Sequence, residues 1–483
     1  MRRTDLIIDC FAGGGGASVG IEMALGRHVD IAVNHDPQAI LMHKTNHPQT
    51  LHLTEDIFKV DLQKYVAGRH VALMWASPDC TSHSKAKGGQ PRNSGLRILP
   101  WAVYKHAKSI LPDVIIMENV EEIQQWGPLD ETGHIIRERA GEDYQKFVHA
   151  MKSLGYEMES RELVAADYGA PTSRRRWYAV FRRDGRSIVW PRRTHSRNGE
   201  VAGTLPWEPV WKCLDLMSFG KSIFGREKPL AEKTMRRTAA GLDKFVFRNP
   251  EPFIIKVNGS GATPFLIQYH SETGKGVRGQ TVTDPLMTID TSNRYGLVMA
   301  FIEKFYKSGT GQSMTEPLHT ITTSPGHFGQ VSVLAMDWQE LQEAGIDRET
   351  AERCTYVSQF IMEYYGCGTG QSLNDPLHTI VTKDRFALIT VLGNEYCIMD
   401  ICLRMLTPEE LKKAQGFPED YIIDRDYRWR RYPAAEQVKR IGNSVVPIMA
   451  EALVAAQCPY LKEGERQPAP RTYWAEGGQM AFA

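Results

Sequence analysis

No stretch of about 18 or more apolar residues occurs in the chain, so no membrane-spanning helix is expected. The one leader-like start, MRRTDLIIDCF, is broken by Asp5 and Asp9 and runs into a glycine loop, which argues against a secretory signal. The eight cysteines show no paired CxxC spacing, so neither a zinc site nor a disulfide framework is expected. A reducing cytoplasm fits that usage. Charge of one sign is also missing: the net charge is only +1, and any attraction to a polyanion must come from local clusters. Two such clusters exist. Arg182, Arg183, Arg186, Arg192, Arg193 and Arg197 crowd one segment, and Arg425, Arg428, Arg430 and Arg431 mix with Tyr427, Trp429 and Tyr432 in another. Arginine with aromatics suits phosphate contact and base stacking, although a solvated charged face explains either cluster as well.

A length of 483 residues exceeds one ordinary domain. Over residues 5–182, apolar strands at Leu6–Cys10, Val29–Val33, Val71–Ala76, Val114–Met117 and Trp177–Phe181 alternate with helical stretches such as Ala17–Leu25 and Leu99–Leu111. This predicts an α/β, doubly wound sheet with helices on both faces and ligands at the carboxyl ends of its strands. From about Asp184 to Tyr396 the character turns to Gly, Pro and Thr with short strand-like runs. A unit repeats there, as TDPLMTI at Thr283–Ile289, TEPLHTI at Thr315–Ile321 and NDPLHTI at Asn374–Ile380. The repeat is read either as a β unit building its own core or as a carrier of nucleic-acid-facing turns with Arg294, His327 and Arg385. After Leu403 the chain is helical again, with Thr407, Pro408 and Glu410 marking a helix start. The expected domains are a core at 1–190, a β-rich insert at 191–399, a segment at 400–458 returning to the core, and a flexible tail at 459–483.

Three strings each follow a predicted strand and so converge on one sheet edge. FAGGGG at Phe11–Gly16 joins strand to helix, and its glycines allow close backbone approach beside free helix N–H groups. Alone, it does not choose between a dinucleotide and S-adenosylmethionine. SPDCTSHS places Cys80 in a polar loop with Lys85 and Lys87 nearby, where a thiolate nucleophile is reasonable, although a lone cysteine is most often a small core residue. ENV ends a buried strand with Glu118, an acid that must there be paired or protonated. Arg174 and Arg176 alternate along the next strand and share a face, where they orient that acid or hold phosphate. QGFP at Gln415–Pro418 and GNSVVP at Gly442–Pro447 complete the set.

In this order the six strings resemble the cytosine 5-methyltransferases of bacterial and phage DNA modification, along roughly residues 5–182 and 403–456. The resemblance implies a Rossmann-like methyltransferase sheet with an inserted target-recognition domain, S-adenosylmethionine as cofactor and no metal. It implies a monomer acting on double-stranded DNA in the cytoplasm, and allows for a cognate restriction endonuclease as partner. It implies Cys80 as nucleophile on a flipped-out cytosine, Glu118 as the acid at N3, Arg176 steadying base and acid, and Arg174 in support. It further implies a cofactor pocket lined by Phe11, Gly13 and Gly15, with Asn34 and His35 at the ribose and adenine. Asp56 and Ile57 flank the adenine, and Asn443 with Val445 closes the pocket.

Three positions depart from the family pattern. Asp79 stands where proline usually precedes the nucleophile, neutral Asn34 where glutamate grips the ribose unless His35 or Asp36 compensates, and Thr172 where glutamine precedes the arginines. Competing readings are an amino-methyltransferase of adenine N6 or cytosine N4, an inactive DNA-binding relative, and an RNA methyltransferase of the same fold.

Overall fold

The computed structural model describes residues 5–78, 98–248, 253–256, 297–304, 311–321, 323, 327–337, 357, 381–383, 386–391, 394–462, 472–474 and 480–482. It divides into two compact units, one of Met1–Cys213, Pro317–Pro325 and Thr407–Ala483, the other of Leu214–Glu316 and Gly326–Leu406.

The first unit is built on a seven-stranded sheet: β1 (Leu6–Cys10), β2 (Ile31–Val33), β3 (Leu51–Leu53), β4 (Val71–Ala76), β5 (Val114–Asn119), β6 (Glu157–Val164) and β7 (Arg175–Arg182), in the order β3-β2-β1-β4-β5-β7-β6. β3 to β5 run parallel, whereas β7 is antiparallel to both β5 and β6. Because side chains alternate across a strand, the sheet feeds two cores. Ile8, Cys10, Met74, Ile115 and Phe181 face the helices Leu99–Ile110 and Glu142–Ser153. Ile7, Leu73, Trp75, Ile116 and Val180 face α1 (Gly16–Leu25) and the returning helix Pro447–Gln457. The doubly wound α/β architecture read from the sequence is present. Two of its strands lacked an apolar signal. β3 is only three residues long, and β6, EMESRELV, buries Leu163 alone.

Thr407 caps the helix Pro408–Ala414 in a full capping box with Glu410, as the sequence predicts. Within residues 459–483, Leu461 is buried and Thr472–Trp474 pairs with Met480–Phe482. The middle TEPLHTI copy enters the first unit. The Leu318 N–H donates to the Pro171 carbonyl at 2.9 Å, the Ser173 N–H donates to the Leu318 carbonyl at 2.8 Å, and Leu318 and Ile321 are buried. That copy therefore serves as core. The copies at Thr283–Ile289 and Asn374–Ile380, with Arg294 and Arg385, lie outside the described residues. The second unit is an antiparallel sheet with Leu297–Lys304, Phe328–Asp337 and Asn394–Met405 at its centre, covered by the helix Glu232–Leu242 through Leu242, Phe301, Val331 and Ile401.

α1 and Pro447–Gln457 pack so closely that a Cβ on Gly20 would overlap the Pro447 carbonyl oxygen and crowd Ala450. Under α1 runs a buried polar seam. Ser18 Oγ donates to Asp9 Oδ2 at 2.7 Å and lies 2.9 Å from His43 Nε2, and His43 Nδ1 lies 2.9 Å from His52 Nε2. Burial pushes the Asp9 carboxyl up to about 7, with the Ser18 bond offsetting only part of it. Burial and the charge of His47 hold His43 well below the usual histidine value and His52 at about 4.

Two outcomes follow from these contacts. Gly20→Ala inserts a methyl group against backbone that cannot swing aside. It is expected to cost about 1–3 kcal/mol or more, read as a lower melting midpoint. Asp9 stabilises the fold only while protonated. Its contribution is full below the unfolded carboxyl value and is lost as pH rises through about 7. His43 and His52 act oppositely, their contribution being lost as pH falls below the ordinary histidine value. Asp9→Asn removes only the first effect, so the midpoint of D9N relative to the parent should climb from about pH 4 to about pH 7. A difference that stays constant across that range would refute the buried-acid reading.

Candidate active site

The carboxyl ends of β1, β2, β4 and β5 share one edge, and the antiparallel β7 brings its beginning there too, with Glu118 opposite Tyr178 and Asn119 opposite Trp177. Reversal of that one strand puts Arg174 and Arg176 beside Glu118. The acid is buried, and its Oε1 lies 3.3 Å from Arg176 Nε and 3.9 Å from Arg174 Nη2. Of the two options open to a buried acid, the structure takes pairing. Among the described residues Oε1 makes these ion pairs but accepts no hydrogen bond. Arg174, itself buried, also donates from Nη1 to the Gly442 carbonyl at 3.0 Å, joining the acid to the GNSVV segment.

Cys80, with Asp79, Lys85 and Lys87, lies outside the described residues. Its loop is described up to Pro78. There Asn119 Nδ2 donates to the Pro78 carbonyl at 3.1 Å, tying the loop's entrance to the residue next to Glu118. The Ser77 N–H donates to the Cys10 carbonyl at 3.3 Å, so the same entrance borders the glycine loop. Cys10, Cys213, Cys402 and Cys458 are buried, and none of them forms a disulfide among the described residues. Burial pushes the Cys10 thiol far up and Cys213 and Cys458 to about 11 and 12, so these three are poor nucleophiles. Thr172, at one of the departures from the family pattern, is fully buried two residues ahead of Arg174, and its Oγ1 has no hydrogen-bond partner among the described residues.

At the glycine loop, Phe11 adopts a left-handed backbone with φ 65° and Gly15 one with φ 90°. The close approach expected of FAGGGG is mostly toward protein. Cβ atoms on Gly15 and Gly16 would overlap Tyr421 Oη and the Val445 carbonyl oxygen, and one on Gly14 would press the Arg440 carbonyl at 3.1 Å. Gly13 alone has room, its nearest neighbour being the Phe11 carbonyl oxygen at 4.0 Å. Val445 is buried, Asn443 is exposed, and Ser444 between them accepts the Gly16 N–H at 3.0 Å. Gln415 of QGFP donates in turn to the Ser444 carbonyl at 2.9 Å.

Beyond β2, Asn34 Oδ1 accepts the Asp36 N–H at 2.8 Å, and Asp36 Oδ1 accepts the Gln38 N–H at 2.8 Å as the cap of α2 (Pro37–Asn46). That Asp36 oxygen is thus committed to the helix, and His35 is exposed. After β3, Asp56 is exposed and accepts the Phe58 N–H, while buried Ile57 offers its carbonyl to His106 Nε2 at 2.7 Å. Ser444, Gln415 and Asn119 went unassigned in the sequence, although each lies inside a string singled out there. Polar residues in GNS, QGF and ENV were the available signal. Arg182, from the first basic cluster, is a buried tie to Asp184 at 2.7 Å and to Gln457 at 2.9 Å.

The open Gly13, the helix N-terminus behind it and the ion-paired Glu118 share the sheet edge at which ligands of such folds bind. These residues suit a cofactor with a charged amino-acid end. Among known proteins, the chain is similar to the Type II methyltransferase M.AquIA of Picosynechococcus sp., 27% identical over 202 residues, covering 40% of this chain and 79% of that protein. It is similar to M1.HphI of Haemophilus parahaemolyticus, 27% identical over 207 residues, covering 41% and 51% respectively. It is also similar to M.AgeI of Thalassovita gelatinovora, 29% identical over 204 residues, covering 41% and 44%. The matched part thus spans about half the length of the latter two. The profile described as C-5 cytosine-specific DNA methylase matches residues 6–205 and 329–458, and the chain belongs to that family.

Proposed function

We propose that this chain methylates carbon 5 of a flipped-out cytosine in a specific double-stranded DNA sequence, through a covalent bond to Cys80. The observation that carries this reading is the buried Glu118, whose Oε1 is ion-paired with Arg174 and Arg176 but accepts no hydrogen bond among the described residues, next to the anchored entrance of the Cys80 loop. Extrusion of the base costs a few kcal/mol of stacking and pairing, and opens both faces of the ring to the site. The Cys80 thiolate forms a bond to carbon 6, and the displaced electron pair makes carbon 5 nucleophilic. Glu118 holds a proton at N3 as that charge develops, and Arg176 fixes the carboxyl group in place. S-adenosylmethionine, when bound, supplies the methyl group. Loss of the proton from carbon 5 then expels the sulfur and restores the double bond.

In this reading Phe11, Gly13, Gly15, Asn34, His35, Asp56, Ile57, Asn443 and Val445 line the cofactor. Ser444 keeps the glycine loop against the returning segment. The second, β-rich unit is the target-recognition domain. The Type II naming of the relatives supports a modification role beside a restriction endonuclease. The match to a carbon-5 family favours this chemistry over amino transfer.

Expression in a host lacking cytosine methylation, followed by bisulfite sequencing, should reveal protected cytosines in one recurring context. Cys80→Ala should abolish them, and Glu118→Gln should slow methyl transfer roughly 10²–10⁴-fold. DNA carrying 5-fluorocytosine should trap the parent chain covalently but not C80A. Protection no greater than in C80A would identify an inactive relative.

A further inference from the structure

Tyr421 is a buried side chain of the returning segment that the chemistry above does not use. Its backbone is clamped on both sides. The buried Lys412 ammonium donates to the carbonyls of Glu419 at 2.8 Å and Tyr421 at 3.1 Å. Asn46, at the end of α2, exchanges hydrogen bonds of 2.9 and 2.8 Å with the backbone of Ile422. So held, Tyr421 Oη donates to the Gly14 carbonyl at 2.7 Å and fills the space a side chain on Gly15 would need.

The hydroxyl is also backed by a charged chain. His47 Nε2 lies 3.3 Å from Oη, and its Nδ1 lies 2.9 Å from Glu22 Oε1, which His28 Nδ1 also reaches at 2.9 Å. Burial pushes the Glu22 carboxyl up, but His47 and His28 more than offset it and hold it at about 2, so it accepts.

A trans peptide sets its N–H opposite to its C=O. With the Gly14 carbonyl drawn toward Tyr421, the Gly15 N–H points away from it. We propose that Tyr421 is a positioning residue for the cofactor: by holding the Gly14 carbonyl, its hydroxyl aims the Gly15 N–H as a donor for S-adenosylmethionine. This rests on the cofactor reading above.

Tyr421→Phe removes only the hydroxyl oxygen. In calorimetry on the full chain with S-adenosylhomocysteine as probe, Y421F should bind roughly 3- to 10-fold more weakly, the value of one hydrogen bond. In methyl transfer, KM for S-adenosylmethionine should rise by the same factor with kcat within about twofold, a split that a general loss of packing would not produce. Folded Y421F that binds the probe as tightly as the parent, or that loses kcat instead, overturns the proposal. If Y421F does not fold, Glu22→Gln takes its place. It loosens His47 and should weaken binding in the same direction, and unchanged binding there is equally fatal. A parent chain that binds no probe removes the cofactor reading together with this inference. Parent binding with an unaffected variant removes the inference alone.

Discussion

A carboxyl group at the buried end of a central strand needs compensating charge, and the arrangement of the sheet edge follows from how Glu118 obtains it. Parallel β5 delivers the acid, but only an antiparallel neighbour can start where β5 stops and bring Arg174 and Arg176 to it. Removing one partner from such a buried pair typically costs about 3–5 kcal/mol, which makes the cluster an anchor as well as a site. Arg174 carries the constraint further, since its other nitrogen binds the Gly442 carbonyl and fastens the end of the chain to the same place.

That returning segment in turn shapes the glycine loop. Ser444 takes the Gly16 N–H, Tyr421 takes the Gly14 carbonyl, and Pro447–Gln457 lies against the bare face of Gly20. Glycine is required here by two demands at once, a left-handed turn at Gly15 and the absence of side chains between two backbones. A loop that looks in the sequence like a cradle for a ligand is, at Gly14, Gly15 and Gly16, a docking surface for the protein's own distant end. Only Gly13 keeps the open space that a ligand needs.

Most of the parallel sheet was legible because β1, β4 and β5 are fully buried and read as mainly apolar runs, interrupted by Asp9 in β1 and ended by Glu118 and Asn119 in β5. β6 was not, because an edge strand facing solvent carries charge in place of apolar residues. Glu118 and the glycine loop were legible as strings at strand ends. Their supports were not, because Asn119, Gln415 and Ser444 act through single hydrogen bonds to backbone groups far away in the chain. The PLHTI repeat showed its period but not its place. That its middle copy bridges Thr172, two residues ahead of Arg174, depends on a backbone pairing with no side-chain signature.

By itself the sequence determined the fold class, the order of the chemical strings and the family, because apolar periodicity and local turn chemistry are properties of neighbouring residues. The tertiary structure alone decided that Glu118 is paired, that Asp36 serves a helix cap, that three of the four loop glycines face protein, and that Tyr421 reaches Gly14. Each of these is settled by which distant groups come within a few ångströms of one another, and no local pattern encodes such distances.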